Sequence, residues 1–150
     1  MADPVQVQRV DAAVTRPLRQ RVLRPHETVE QLVVPGDDDP DSGHFAVLEG
    51  AEVVATGSVR RESPPWPVEG PAWRLRGMAT AEDRRSRGLG GAVLGAVITH
   101  VRDHGGGYLW CNARLPAVPF YQRAGFATRG DRWEDPLIGP HIAMEVLVGR

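Results

Sequence analysis

The segment Arg84–His100 reads RRSRGLGGAVLGAVITH and contains three kinds of residue in a fixed order. Arginines come first, glycines follow, and an apolar run with helical spacing completes it. The first N–H groups of a helix lack partners and carry partial positive charge, and glycine lets a ligand approach them closely. The order therefore predicts a phosphate-binding loop ahead of a helix. A solvated turn that caps an ordinary helix is the alternative.

Two well-known phosphate loops fit this segment poorly. The P-loop requires a lysine after its last glycine, and all 18 basic residues of this chain are arginine. The dinucleotide-binding fingerprint requires glycine or alanine where Val93 stands, and it has no arginines before its glycines. A pyrophosphate remains compatible with the spacing, since guanidinium groups donate charge-assisted hydrogen bonds to phosphate oxygens.

Length and composition limit the class of protein. The 150 residues suit one domain with a substantial core, and residues 1–150 are expected to form it. A formal net charge of -1 gives no field that would attract nucleic acid or an anionic membrane. The single cysteine, Cys111, excludes an internal disulfide and a multi-cysteine metal site, so no metal is expected. No leader or membrane-spanning run is apparent, which predicts a cytoplasmic protein.

Hydrophobic periodicity predicts the element order β-α-β-β-β-α-β-α-β, a mixed α/β arrangement. The first helix is expected to begin near Thr15, because Pro17 fits best in a first turn. Gly57 is a candidate β-bulge. The predicted strands are 5–10, 44–50, 52–60, 72–80, 108–112 and 141–148, and the other predicted helices are 88–104 and 117–126.

Two motifs resemble the GCN5-related N-acetyltransferase (GNAT) family. RSRGLG, at Arg85–Gly90, resembles the family's R/Q-x-x-G-x-G/A segment, and it follows a strand, RLRGMAT, that is similar to the family's central strand. FYQRAGF, at Phe120–Phe126, is similar to the later F-Y-x-x-x-G-F signature. The resemblance covers about residues 72–148. It implies a mostly antiparallel central sheet with flanking helices and a splayed central cleft.

The resemblance also implies a reaction and a coenzyme site. Acetyl-CoA would be the cosubstrate, and its acetyl group would pass to a primary amine of a small molecule or peptide by direct attack on the thioester. The N–H near Met78 would bond the thioester oxygen. Asn112 is a candidate ligand of the coenzyme arm, with a local Asn cap as the alternative. The coenzyme-binding residues implied are Met78, Ala79, Thr80, Arg85, Ser86, Arg87, Gly88, Leu89, Gly90, Gly91 and Asn112.

Catalytic roles follow from the same resemblance. Tyr121 occupies the family's general-acid position and would protonate the leaving thiolate, unless it is only a packing residue. His141 is the candidate base, because imidazole transfers protons near neutral pH. Glu134, Glu145 and a water relay remain alternatives for that role, and a strand-edge histidine without a function is the alternative for His141.

Several functional questions stay open at this stage. A non-catalytic acyl-CoA-binding sensor or partner module on the same fold is the alternative to an enzyme, and a homodimer is a common outcome in the family. The acidic loop Asp37–Asp41 favours a cationic acceptor if it faces the site, although such loops are typical of solvated linkers. Cys111 lies in an apolar strand and is expected to be a buried, inert thiol.

Overall fold

The computed structural model describes residues 5–150. Short 3-10 turns at Val29–Leu32, Glu82–Arg84 and Leu115–Ala117 join some of the regular elements. The strands are β1 (Gln8–Arg9), β2 (Gly43–Glu49), β3 (Glu52–Arg61), β4 (Ala72–Thr80), β5 (Gly107–Arg114), β6 (Ala127–Asp135) and β7 (Gly139–Val148). The helices are α1 (Ala12–Leu23), α2 (Leu89–Asp103) and α3 (Val118–Arg123).

All seven strands form one sheet in the order β1-β2-β3-β4-β5-β7-β6. Neighbours are antiparallel except β4 and β5, which pair in parallel over Ala72–Arg74 and Tyr108–Trp110 only. Beyond Arg74 the two strands separate, although β4 runs on to Thr80 and β5 to Arg114. The predicted fold class is confirmed, because the sheet is mostly antiparallel and opens into a V-shaped cleft at its centre.

Helices α1 and α2 both pack against β2, β3 and β4. Along α2, Val93, Val97 and Val101 recur every four residues and are fully buried. Burying an aliphatic side chain of this size contributes about 1.5–3 kcal/mol. Helix α2 is therefore held by its apolar stripe, and its amino end is fixed beside the end of β4. No helix in the described part of the chain is long and apolar enough to cross a membrane.

The first helix begins earlier than predicted. It starts at Ala12, and Pro17 lies inside it rather than in its first turn. Proline has no N–H to donate, so the helix loses one internal hydrogen bond there. The hydroxyl of Thr15 donates to the carbonyl of Ala12 at 2.7 Å within the same turn. The preceding strand is also shorter than predicted and comprises only Gln8–Arg9.

Strand β6 was not predicted from the sequence. Its residues Ala127 to Glu134 are all exposed, so the segment carries no alternation of apolar and polar positions. It pairs antiparallel with β7, and an irregularity between Arg129 and Trp133 bends it. Pairing with the β7 backbone, rather than burial of its own side chains, makes this segment a strand.

Candidate active site

A β-bulge shapes the strand that borders the cleft. Ser58 pairs with Arg76 and Thr56 pairs with Ala79, so Gly77 and Met78 together oppose Gly57 alone. The bulge predicted at Gly57 is therefore on the facing strand, β4. A Cβ on Gly57 would lie 2.5 Å from Met78 Sδ, which means that the Met78 side chain fills the space above this glycine.

The loop after β4 presents unpaired amides. Ser86 has φ 67° and Gly88 has φ 77°, so two left-handed residues alternate with Arg85 and Arg87. Arg85 itself is extended, with φ -67° and ψ 159°, so the two left-handed residues turn the chain into α2. The first intrahelical bond runs from Ala92 N–H to the Gly88 carbonyl at 3.1 Å, and no side chain caps α2. The amides of Leu89, Gly90 and Gly91 precede that bond and are free to face a ligand.

Charged residues tie this loop to the β2–β3 hairpin. Arg84 Nε donates to Glu49 at 2.7 Å, and its Nη2 lies 3.8 Å from Glu52. Arg87 forms a longer pair with Glu49 at 3.4 Å. Arg85 is exposed and forms no ion pair with any residue of 5–150. Its guanidinium is therefore the loop's available cation.

The two sequence motifs meet in space. A Cβ on Gly90 would lie 3.3 Å from Phe120 Cε1 and 3.5 Å from Thr80 Oγ1. The ring of Phe120 packs edge-on against Tyr121, with centroids 5.1 Å apart. Position 90 therefore leaves little room for a side chain, because α3 and the end of β4 approach α2 at this point. The contact places Tyr121 next to the loop 85–91.

A cavity of about 450 Å³ opens where β4 and β5 diverge. Residues of α1, β4, β5, α3 and the β6–β7 hairpin line it. Four of the predicted site residues meet there, namely Met78, Asn112, Tyr121 and His141. The loop 85–91, Ala79 and Thr80 are not among the lining residues, so they border the cleft beyond the bulge.

Tyr121 is 6 % exposed and packs against Phe126 with ring centroids 5.4 Å apart. Burial raises the pKa of Tyr121 far above its ordinary value, and the nearby thiol of Cys111 raises it further. The phenol is therefore a neutral hydrogen-bond donor at every physiological pH. Its place in the cavity wall allows it to donate to a bound molecule.

His141 is 6 % exposed and lies opposite Trp133 across β6 and β7. Its Nδ1 lies 2.8 Å from the carbonyl oxygen of Gly139, and a carbonyl can only accept. Nδ1 therefore carries the proton, and Nε2 is left with a free lone pair. The imidazole stacks on Trp133 at 5.7 Å with an interplanar angle of 20°. These two contacts fix the ring with a basic nitrogen available.

The other two side-chain candidates for the base lie outside the cavity. Glu145 accepts a hydrogen bond from the Tyr108 hydroxyl and lies 3.7 Å from Arg129, so its carboxylate is occupied elsewhere. Glu134 is exposed on β6. Of the three side chains considered, His141 alone lines the cavity.

The acidic loop does not contribute to this site. Asp37 is buried, accepts from Arg16 Nη2 at 3.0 Å, and also accepts from the N–H of Val34 at 3.2 Å. None of residues 37–41 lines the cavity. The loop therefore gives no support to the expectation of a cationic acceptor.

Sequence reasoning missed the arginines of the cavity wall. Arg74 and Arg76 occupy alternate positions of β4, and such spacing places two charges on one face of a central strand. Strands in the middle of a sheet normally carry apolar residues on both faces. The R-x-R pattern was therefore a readable signal of a functional surface.

The acetyltransferase (GNAT) family model matches residues 12–126, more than half of the chain. The chain belongs to the GNAT family. This GNAT protein is 31% identical over 140 residues to YitI of Bacillus subtilis (strain 168), described as an uncharacterized N-acetyltransferase, and the match covers 93% of this chain and 94% of YitI. The family membership and the N-acetyltransferase relatives identify an acetyltransferase enzyme.

Solved structures share the fold at low sequence identity. The ribosomal-protein-S18-alanine N-acetyltransferase of Escherichia coli superposes with a TM-score of 0.76 at 16% identity, covering 98% of this chain and 96% of that chain. An aminoglycoside 6'-N-acetyltransferase complexed with coenzyme A gives a TM-score of 0.72 at 13% identity, with coverage of 97% and 98%. These likenesses support the GNAT fold described above.

Proposed function

We propose that this GNAT enzyme transfers an acetyl group from acetyl-CoA to a primary amine of a small molecule or peptide. The observation that carries the proposal is the junction at Met78 and Tyr121. On one side of it the β4 edge leads to the amides of loop 85–91, and on the other side it opens into the cavity. Such a junction brings a thioester and an amine together from opposite directions.

The residues beyond the bulge fit the coenzyme. The free amides of Leu89–Gly91 and the exposed Arg85 suit a pyrophosphate, which needs several donors and positive charge. The edge of β4 from Leu75 to Thr80 has no pairing with β5. An extended pantetheine arm can therefore pair with the backbone of Met78, Ala79 and Thr80 as an added strand would.

The acetyl-CoA thioester supplies the activated acyl carbon, so that a C–N bond forms as the C–S bond breaks. A protonated alkylamine has an ordinary pKa of about 10.4 and must lose a proton before it attacks. His141 Nε2 accepts that proton, directly or through a water. Tyr121 donates its O–H toward the leaving sulfur as the C–S bond breaks.

Direct transfer to the amine is favoured over an acyl-enzyme on Cys111. Burial raises the pKa of this thiol to about 12, so it is protonated and a poor nucleophile. The chain has no other cysteine. A single-step attack by the amine therefore accounts for the transfer with the residues present.

The test has two stages. Calorimetry with acetyl-CoA measures binding, and a thiol-release assay over a panel of amines measures transfer. Binding together with amine-dependent thiol release supports the proposal. Binding without release for any amine favours the sensor module, and no binding at millimolar acetyl-CoA contradicts both. A single domain over residues 1–150, a cytoplasmic location and a homodimer stay predictions, of which light scattering tests the last.

A further inference from the structure

Positive charge lines the cavity. Five arginines contribute to its wall, against the carboxylates of Glu27 and Asp135. The carboxylate of Asp135 already accepts the backbone N–H groups of Leu137 and Ile138, at 2.8 and 3.1 Å. The lining arginines are Arg19, Arg24, Arg74, Arg76 and Arg114.

Four of these arginines form no ion pair in the described part of the chain, although the charge of Asp37 acts on Arg19 and that of Asp135 on Arg24. Arg74 donates to Glu62 at 2.8 Å, and Arg114 donates to the carbonyl of Leu23. Among residues 5–150, Arg19, Arg24, Arg76 and Arg114 form no ion pair. Arg76 Nε is buried and has no hydrogen-bond partner in that same part of the chain.

This arrangement is unfavourable when the cavity holds only water. Burial lowers the pKa of Arg76 to about 10, and the charges of Arg74 and Arg60 lower it further than Glu62 raises it. Burial also lowers the pKa of Arg19, which is 8 % exposed. A guanidinium taken out of water is stabilised when an anion occupies the same site. The cavity is therefore electrostatically suited to a negatively charged group.

The charge lies apart from the coenzyme loop. Arg74 and Arg76 precede the bulge on β4, whereas loop 85–91 follows the end of the strand and does not line the cavity. Arg19 lies over Gly77 at the bulge itself. The unpaired arginines consequently face the acceptor side of the junction at Met78 and Tyr121.

We propose that the acceptor of this enzyme is a small amine that also carries a carboxylate or phosphate, and that Arg76 and Arg19 bind this anionic group. The inference rests on the proposed function, since it names the substrate class of the same site. A cavity of about 450 Å³ falls in the range of small-molecule sites, about 300–1,000 Å³. The arginine fork binds both carboxylate and phosphate in a bidentate manner, so either group meets the chemistry of the wall.

The experiment compares amines that differ only in the anionic group. Thiol release is measured for glycine against glycinamide, β-alanine against β-alaninamide, γ-aminobutyrate against its amide, and phosphoethanolamine against ethanolamine. For at least one pair we expect the anionic member to have a kcat/KM at least about 10-fold higher. The carboxylate and phosphate pairs distinguish the two anion sources.

Variants of Arg76 test whether this residue causes the preference for the anionic amine. In Arg76→Gln the ratio within the preferred pair should fall toward one, and Arg76→Lys should restore part of it because the charge returns. Arg102→Gln is the matched control, since Arg102 is exposed on α2 and does not line the cavity. Circular dichroism and acetyl-CoA affinity verify that each variant is folded.

Equal or faster thiol release from the neutral member of every pair overturns the proposal while leaving the acetyltransferase function intact. A ratio unchanged in Arg76→Gln, or a tenfold loss of acetyl-CoA affinity in that variant, also overturns it, the latter because the arginine would serve the coenzyme. If no amine reacts, calorimetry with the same compounds decides, and tighter binding of anions that weakens in Arg76→Gln supports the anion site.

Discussion

The guanidinium of Arg19 crosses directly over Gly77. A Cβ on Gly77 would come within 2.5 Å of Arg19 Nε and within 2.8 Å of its Cδ. Gly77 also has φ 65°, a conformation that L side chains rarely adopt. The bulge in β4 thus provides both the backbone turn and the open space through which a helix α1 side chain reaches the cleft.

Replacing Gly77 by alanine should destabilise the protein and displace Arg19. We expect a loss of about 1–3 kcal/mol in the free energy of unfolding, from backbone strain together with the collision. Gly50→Ala is the control, because Gly50 has φ 61° but nothing within 4 Å of a Cβ. Urea unfolding compares the two. Equal losses of unfolding free energy in both variants would show that the contact with Arg19 contributes nothing to stability.

The two tyrosines of the chain form a matched pair for testing general acid catalysis. Tyr121→Phe should lower kcat by about 10²-fold and leave acetyl-CoA affinity unchanged, because only the proton donor is lost. Burial raises the pKa of Tyr121, so no alkaline loss of activity should arise from this residue. Steady-state thiol release over a range of pH measures both effects. An unchanged kcat would refute the acid role.

The control variant is Tyr108→Phe. The Tyr108 hydroxyl accepts from Trp66 Nε1 at 3.1 Å and donates to Glu145, away from the cavity. Its removal should cost about 1–3 kcal/mol of stability by leaving polar partners unpaired. Turnover below the melting transition should match that of the wild type.

Substitutions at one glycine of the loop and one glycine of α2 test coenzyme binding and helix stability separately. Gly88→Ala should weaken acetyl-CoA binding by about 10-fold, because a Cβ at φ 77° strains the turn that aims the amides. Gly95→Ala should instead stabilise the protein by about 0.5–1 kcal/mol, since Gly95 is exposed in α2 with open space around it. Calorimetry and thermal melts measure the two effects. Unaltered affinity in Gly88→Ala would contradict the role of the loop.

Cys111 should resist alkylation in the folded protein. Burial raises the pKa of its thiol from 9.0 to about 12, which lowers the thiolate fraction at mildly alkaline pH by about 10³-fold. Iodoacetamide labelling followed by mass spectrometry should therefore show reaction only after unfolding. Rapid labelling of the native protein would contradict the buried position. This inertness also means that the chain's own thiol will not disturb a thiol-release assay.

Glu62 should stabilise the arginines of β3 and β4 in a pH-dependent way. Burial alone would raise the pKa of Glu62, but hydrogen bonds and charge from Arg74 and Arg60 outweigh it, and the pKa is lowered from 4.5. A carboxyl group whose pKa is lowered by folding stabilises the protein fully when the pH is above its pKa in the unfolded state. This stabilisation is lost as the pH falls through its pKa in the folded state. Glu62→Gln should therefore cost about 1–3 kcal/mol near neutral pH and progressively less in acid.

The control for this measurement is Glu82→Gln. Glu82 forms an exposed pair with Arg21 at 3.8 Å, with both side chains more than half exposed. Such pairs contribute little, about 0–1 kcal/mol. Urea unfolding at several pH values measures the difference for both variants. A Glu62→Gln effect that does not change with pH would contradict the charge-based explanation.

Local patterns could be predicted because neighbouring residues determine them. The apolar spacing of α2 and the arginine–glycine order before it identified the loop and its helix within one residue at each end. Strand β6 could not be predicted, because its exposed residues show no period and only pairing with β7 gives it a strand conformation. The predicted start of α1 was also wrong. The helix extends back to Ala12 although Pro17 cannot donate a hydrogen bond, and both Ala12 and Leu18 are buried.

The family motifs, the arginine–glycine loop and the apolar stripe of α2 could all be identified from the amino-acid sequence, because each depends on residues a few positions apart. The tertiary structure alone decided that His141 joins Tyr121 in one cavity, and that Glu145 is directed elsewhere. It also decided that arginines from α1, β4 and β5 line that cavity. The physical reason is that β4 and β5 stop pairing after Arg74, and only this separation brings distant side chains around a common space.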